Sequence, residues 1–94
     1  MKFARITTKG FRKDLRRLQK SGYDLEKLET AIDILVSGEA LPLVYFDHSL
    51  QGELKGRREC HIGPDWLLVY KKDRKALILL LLRTGTHRDT FGIE

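Results

Sequence analysis

The sequence offers one cysteine, Cys60, and no partner for it, which excludes an internal disulfide and makes the cytoplasm the expected compartment. No apolar stretch near the amino terminus resembles a signal peptide. The longest apolar run, Ala76 to Leu82, falls far short of the roughly 20 residues that a helix needs to span a bilayer, so no membrane role is expected. No internal repeat, low-complexity segment or linker interrupts the chain, and residues 1–94 read as one domain around a single modest core. Acidic residues are also in short supply. The 13 Asp and Glu stand against 18 Lys and Arg, and the net charge of +5 makes a polyanion a more natural partner than an acidic or apolar ligand.

What is present alternates between two periodicities. Lys2 to Ile6 reads as a short strand, after which Thr7 or Thr8 offers a hydroxyl to cap a helix. Phe11, Leu15 and Leu18 then fall on one helical stripe, with Arg12, Lys13, Arg16, Arg17 and Lys20 around them, and Ser21-Gly22 ends the helix. Asp24 caps a second helix, with Tyr23 placed to pack on Leu28 as a staple. Its apolar stripe is Leu25, Leu28, Ile32, Leu35 and Val36, and Ser37-Gly38 stops it. Two amphipathic helices joined so closely form a hairpin that needs a third surface, which a sheet supplies.

From Glu39 to Gly52 the pattern is irregular and reads as a loop pinned by Val44, Tyr45 or Phe46. Alternation then places Leu54, Gly56, Arg58, Cys60 and Ile62 on one side of a strand and Glu53, Lys55, Arg57, Glu59 and His61 on the other. Gly63-Pro64 makes a turn into a strand over Trp66 to Lys71, Lys72 to Lys75 a hairpin loop, and Ala76 to Arg83 a strand in the middle of the sheet. Thr84-Gly85-Thr86 leaves the sheet and His87 to Phe91 is the tail. The expected fold is therefore α+β, in the order strand-helix-helix-strand-strand-strand. A helical hairpin covers one face of a mainly antiparallel four-stranded sheet, and the polar Lys55, Arg57 and His61 lie on the free face.

The only three histidines, His48, His61 and His87, each stand beside a turn or loop signal, and Asp65 follows His61 across Gly63-Pro64. Loop edges on a rigid sheet are where side chains can converge on a substrate. No Cys or His pair has finger spacing, and His61 and Asp65 straddle a turn rather than sharing a helix face, so no metal is expected. Cys60 alternates with Leu54 and Ile62 and reads as a small core residue, not a nucleophile. The better match is acid–base chemistry on RNA. A base takes the proton of a 2′-hydroxyl, an acid protonates the departing 5′-oxygen, and cations surround the phosphate. Histidine serves both proton roles, its unperturbed pKa of about 6.5 lying near working pH. Arg57, Arg58 and Arg83 supply charge, and Trp66 or Phe91 a flat surface for an unpaired base.

Asp47-His48-Ser-Leu-Gln-Gly-Glu-Leu-Lys-Gly-Arg-Arg-Glu-Cys-His61-Ile-Gly-Pro-Asp65-Trp66-Leu-Leu-Val-Tyr70, followed by Leu82-Arg83-Thr-Gly-Thr-His87-Arg-Asp-Thr-Phe91, strongly resembles the YafQ-type toxins of the RelE/ParE superfamily over nearly the whole chain. The resemblance implies an mRNA interferase of a bacterial type II toxin–antitoxin pair that cuts translated messages in the ribosomal A site and is silenced by an antitoxin. It implies no small-molecule cofactor. By resemblance His48, His61, Asp65 and His87 occupy catalytic positions and Trp66 and Phe91 match active-site aromatics, while the charge of Lys55, Arg57, Arg58 and Arg83 is expected to bind or position RNA. The superfamily also contains ParE-type toxins that keep the fold and block DNA gyrase without cutting RNA, which is the alternative reading. The full set of histidines favours the nuclease branch.

Overall fold

A computed structural model describes residues 2–52 and 56–91, the last of these by its backbone. Its elements are β1 (Ala4–Thr7), α1 (Lys9–Lys20), α2 (Leu25–Val36), a 3-10 turn (Leu43–Tyr45), β2 (His48–Ser49), β3 (Arg58–Gly63), β4 (Trp66–Asp73), β5 (Ile78–Gly85) and α3 (His87–Phe91). The strands form one sheet in the order β1-β5-β4-β3-β2, with β1 parallel to β5 and every other pair antiparallel.

Thr8 is the cap of α1, and its hydroxyl does two jobs. Its oxygen accepts from the Phe11 amide at 3.0 Å, and the hydroxyl donates to the Leu82 carbonyl at 2.8 Å, tying the start of the helix to β5. Asp24 caps α2 as its sequence position predicts, accepting from the Glu26 amide at 3.1 Å. Phe11 and Leu18 of α1 and Leu28, Ala31, Ile32 and Leu35 of α2 close over Cys60, Leu68, Tyr70, Leu79 and Leu81, which makes the core one layer of helices on one face of the sheet. Tyr23 meets Trp66 edge to face, with ring centroids 5.0 Å apart.

The α+β class holds, and several details differ from the sequence reading. The sheet has five strands rather than four, because His48–Ser49, inside the segment read as a loop, pairs with Arg58 and Glu59 along the edge of β3. A two-residue strand carries no periodicity and is invisible to pattern reading. The alternation from Leu54 to Ile62 overstates β3, which begins at Arg58, and residues 53–55 lie outside the described residues. The hairpin loop falls at 74–77 instead of Lys72 to Lys75, with Leu77 at φ 56°, and β5 runs on to Gly85. The tail is a short helix. Thr86 Oγ1 accepts from the Asp89 amide at 3.1 Å and Asp89 Oδ2 from the Thr86 amide at 3.4 Å, a reciprocal cap formed by residues three apart. α3 packs on β4 and β5, and Leu67 and Val69, which alternate with the core residues Leu68 and Tyr70, are buried as well. The face expected to be free is thus partly covered, and its open part lies over β2 and β3.

Candidate active site

Three elements bring the histidines to one place. Along β3, Cys60 turns into the core, which sends Glu59 and His61 to the opposite face, and pairing of His48 with Glu59 across the β2–β3 ladder sets His48 beside them. A register shift between His61 and Gly63 ends the regular pairing just before the Pro64-Asp65 turn. β5 then delivers His87 as the first residue of α3. The ring of His61 is the middle member, its centroid 6.4 Å from that of His48 and 6.4 Å from that of His87.

Each outer imidazole is oriented by an acceptor on its Nδ1 side. His48 Nδ1 lies 2.7 Å from the Phe46 carbonyl, which can only accept, so this nitrogen carries a proton and donates. His48 Nε2 is therefore the atom that gains or releases a proton, and it faces Glu59 Oε1 at 3.3 Å. That contact is a hydrogen bond only in the imidazolium form. The same Glu59 oxygen is 3.7 Å from His61 Nε2, and Glu59 is 4 % exposed, so one nearly buried carboxylate serves two imidazoles. On the other flank Asp65 Oδ1 accepts from the His87 amide at 3.4 Å and stands 3.5 Å from His87 Nδ1. Both of these side chains are open to solvent.

The remaining residues singled out by sequence divide. Trp66 is 6 % exposed, its indole Nε1 donates to Thr84 Oγ1 at 3.0 Å, and it packs against Tyr23, so it belongs to the core and offers no platform for a base. The reason is parity: Trp66 shares the side of β4 with Leu68 and Tyr70. Arg58 lies on the side of β3 that alternation assigns to it, with Cys60 and away from His61. Its Nε donates to Asp47 Oδ1 at 3.3 Å, and Tyr70 donates to the same oxygen at 2.6 Å. Burial opposes the Arg58 charge, but the bonds to Asp47 and Tyr70 outweigh it and hold the guanidinium pKa above its ordinary value. Arg83 is held by Asp14, whose bond raises its pKa. Arg57 is exposed, and Lys55 and the Phe91 side chain lie outside the described residues. Burial pushes the Cys60 thiol up to about 12, which removes it as a nucleophile at neutral pH.

Sequence reasoning passed over three contributors. Glu59 shares the polar side of the strand with His61, and alternation alone does not single it out from its polar neighbours. Asp14, not singled out by its position on the basic helix, is 1 % exposed. Phe46 was read as an anchor for the loop, and instead its ring is 66 % exposed and meets His61 edge-on at 5.7 Å.

A family model described as "Bacterial toxin of type II toxin-antitoxin system, YafQ" matches residues 4–92. The chain belongs to the YafQ family. Among curated relatives it is 43 % identical over 83 residues to the mRNA interferase toxin YafQ of Escherichia coli K12, covering 87 % of this chain and 88 % of that one. It is 42 % identical over 67 residues to a putative toxin YafQ of Haemophilus influenzae, covering 68 % and 66 %. Among solved structures, YafQ in the E. coli DinJ–YafQ complex superposes with a TM-score of 0.87 at 38 % identity, over 96 % of this chain and 99 % of that one. A metal-bound toxin from Helicobacter pylori superposes with a TM-score of 0.85 at 42 % identity, over 95 % and 98 %. Within the YafQ fold seen here, the described residues hold no group of three or more His, Cys, Asp or Glu side chains arranged to take a metal ion. None of their helices is long and apolar enough to cross a membrane.

Proposed function

We propose that the protein is the mRNA-cleaving toxin of a type II toxin–antitoxin pair, a single-domain cytoplasmic endoribonuclease that acts on messages held in the ribosomal A site and is restrained by a cognate antitoxin. The observation that supports the chemistry is that the His61 ring lies 6.4 Å from those of both His48 and His87. In-line displacement at phosphorus puts the entering 2′-oxygen and the leaving 5′-oxygen on opposite sides of the phosphate. Imidazoles separated as these are can each reach one of them.

The protein's own groups account for every proton. A neutral imidazole accepts the 2′-hydroxyl proton, the 2′-oxygen forms its bond to phosphorus, and the bond to the 5′-oxygen breaks as an imidazolium on the other flank protonates it. The products are a 2′,3′-cyclic phosphate and a 5′-hydroxyl. Glu59 stabilises the imidazolium that forms at His48 or His61, and Asp65 does the same for His87. The DinJ–YafQ complexes of E. coli support an antitoxin as partner. The ribosome as the second partner rests on the excess of basic residues and on family likeness.

The test is cleavage of an mRNA in programmed ribosomes by the purified protein, with excess chelator and without. The expected result is chelator-resistant cutting that leaves a cyclic or 3′-phosphate, reduced about 10²- to 10⁴-fold in His61→Ala and His87→Ala. Cutting that stops with chelator, returns with a divalent ion and leaves a 3′-hydroxyl would assign the reaction to metal-activated water instead.

A further inference from the structure

A cavity of about 550 Å³ opens beside the histidine cluster, between the first two turns of α2, the 3-10 turn and the Gly63-Pro64 corner. His61 forms part of its wall, so the cavity is continuous with the catalytic face. Phe46 and Val44 line another side, and Lys27 and Thr30 of α2 supply a cation and a hydroxyl. Its volume lies in the range of about 300–1,000 Å³ typical of pockets for small organic groups. The Phe46 backbone is left-handed, with φ 49° and ψ 43°, a conformation that a bulky side chain rarely adopts. In this conformation Phe46 makes two contacts at the site. The Phe46 carbonyl fixes the Nδ1 proton of His48, and the ring lies edge-on to His61 with most of its surface uncovered.

We propose that this cavity takes one nucleobase of the mRNA next to the bond being cut, stacked on Phe46, with Lys27 reaching toward a backbone phosphate. The inference rests on the endoribonuclease reading and adds to it the site that seats a flanking base. Trp66, buried under Tyr23, cannot serve as such a surface, whereas Phe46 is an exposed aromatic ring touching a catalytic imidazole. A base has an aromatic face on each side and polar edges, which suits apolar walls bounded by Lys27 and Thr30. Leu43 and Val44, 93 % and 72 % exposed, continue the apolar surface outward, so a segment of antitoxin is the competing occupant.

The test measures cleavage of ribosome-bound mRNA by the parent, Phe46→Ala and Phe46→Tyr, on intact messages and on messages with one abasic nucleotide placed in turn at each position of the A-site codon. Loss of the stacking ring should raise the half-saturating concentration about 10-fold or more while the saturating rate changes less, and tyrosine should restore it. For the parent, an abasic nucleotide at one position should cause a similar rise, and at that position Phe46→Ala should cause no further rise. Penalties that add independently, or a Phe46→Ala variant that cuts like the parent, would overturn the proposal. So would a variant weakened only in antitoxin binding, which would give the surface to that partner. A parent protein that cuts no message fails the endoribonuclease reading itself, a result distinct from an active parent that ignores Phe46.

Discussion

Asp14 Oδ2 accepts from Arg83 Nε at 2.7 Å across 69 residues of sequence, and this contact joins the basic helix to the strand that launches His87. The same carboxylate accepts from Arg83 Nη2 and from Arg17 Nη1, each at 3.1 Å, and from the Thr84 amide at 3.0 Å. Arg83 Nη2 also donates to the Asp89 carbonyl at 2.8 Å, and Arg17 reaches the Asp89 carboxylate at 3.4 Å. Gly85 makes room: at φ 145° a Cβ there would lie 2.9 Å from Arg17 Nη2 and 3.1 Å from Asp89 Cβ.

Removal of the Asp14 carboxylate leaves Arg83 Nε and the Thr84 amide without their acceptor and Arg83 Nη2 with the Asp89 carbonyl alone. Asp14→Ala should cost about 3 kcal/mol, the low end for one partner of a buried pair because Arg83 keeps part of its guanidinium in water. Arg17→Ala, on the exposed side of the cluster, should cost less than about 1 kcal/mol. Urea unfolding of both variants checks the ordering, and equal losses would contradict a network centred on Asp14.

Glu59→Gln keeps the shape of the side chain and removes its charge. If the carboxylate stabilises imidazolium at His48 and His61, cleavage should fall by about 10²-fold while the melting temperature changes little. Full activity in this variant would reduce Glu59 to a packing residue.

Trp66 is the only tryptophan, so its fluorescence reports one environment. A ring 6 % exposed and held by Thr84 should emit in the blue, resist quenching by iodide and remain unquenched when RNA is added. Trp66→Phe loses the bond to Thr84 and part of the packing, and should destabilise by about 1–3 kcal/mol. Strong quenching by a short RNA would restore the indole to the substrate surface.

Alkali should weaken the fold in a defined window. The Cys60 thiol, ordinarily at 9.0, is pushed up to about 12 by burial, and the Tyr70 hydroxyl is raised too, first by burial and then by its bond to Asp47. Both groups stay neutral in the folded chain at pH values where the unfolded chain releases their protons. Their contribution is therefore complete below pH 9 and declines as pH rises from 9 toward 12. Denaturant midpoints across that range should fall, and less steeply in Cys60→Ala. Below the window native Cys60 should resist alkylation by iodoacetamide and react only on unfolding.

The sequence by itself determined the two capped helices, the α+β class and the three histidines that the fold gathers. Phe11, Leu18, Leu28, Ile32 and Leu35 lie at helical spacing, Thr8 and Asp24 sit where caps are needed, and three histidines at loop edges are unusual enough to mark a place. Those signals are local, since each is complete within one or two turns of chain. What only the tertiary structure decided depends on residues far apart meeting. His48 joins the sheet through a strand too short to have a period, and its partner Glu59 looked like any other polar residue on an open face. Trp66 is buried because Tyr23, at the start of the second helix, packs on it, and Arg58 is held by Asp47 and not by a substrate, both contacts between distant parts of the chain. Asp14 is buried because Arg83, 69 positions later, brings it a countercharge, and burial of a carboxylate is tolerated only where such donors converge.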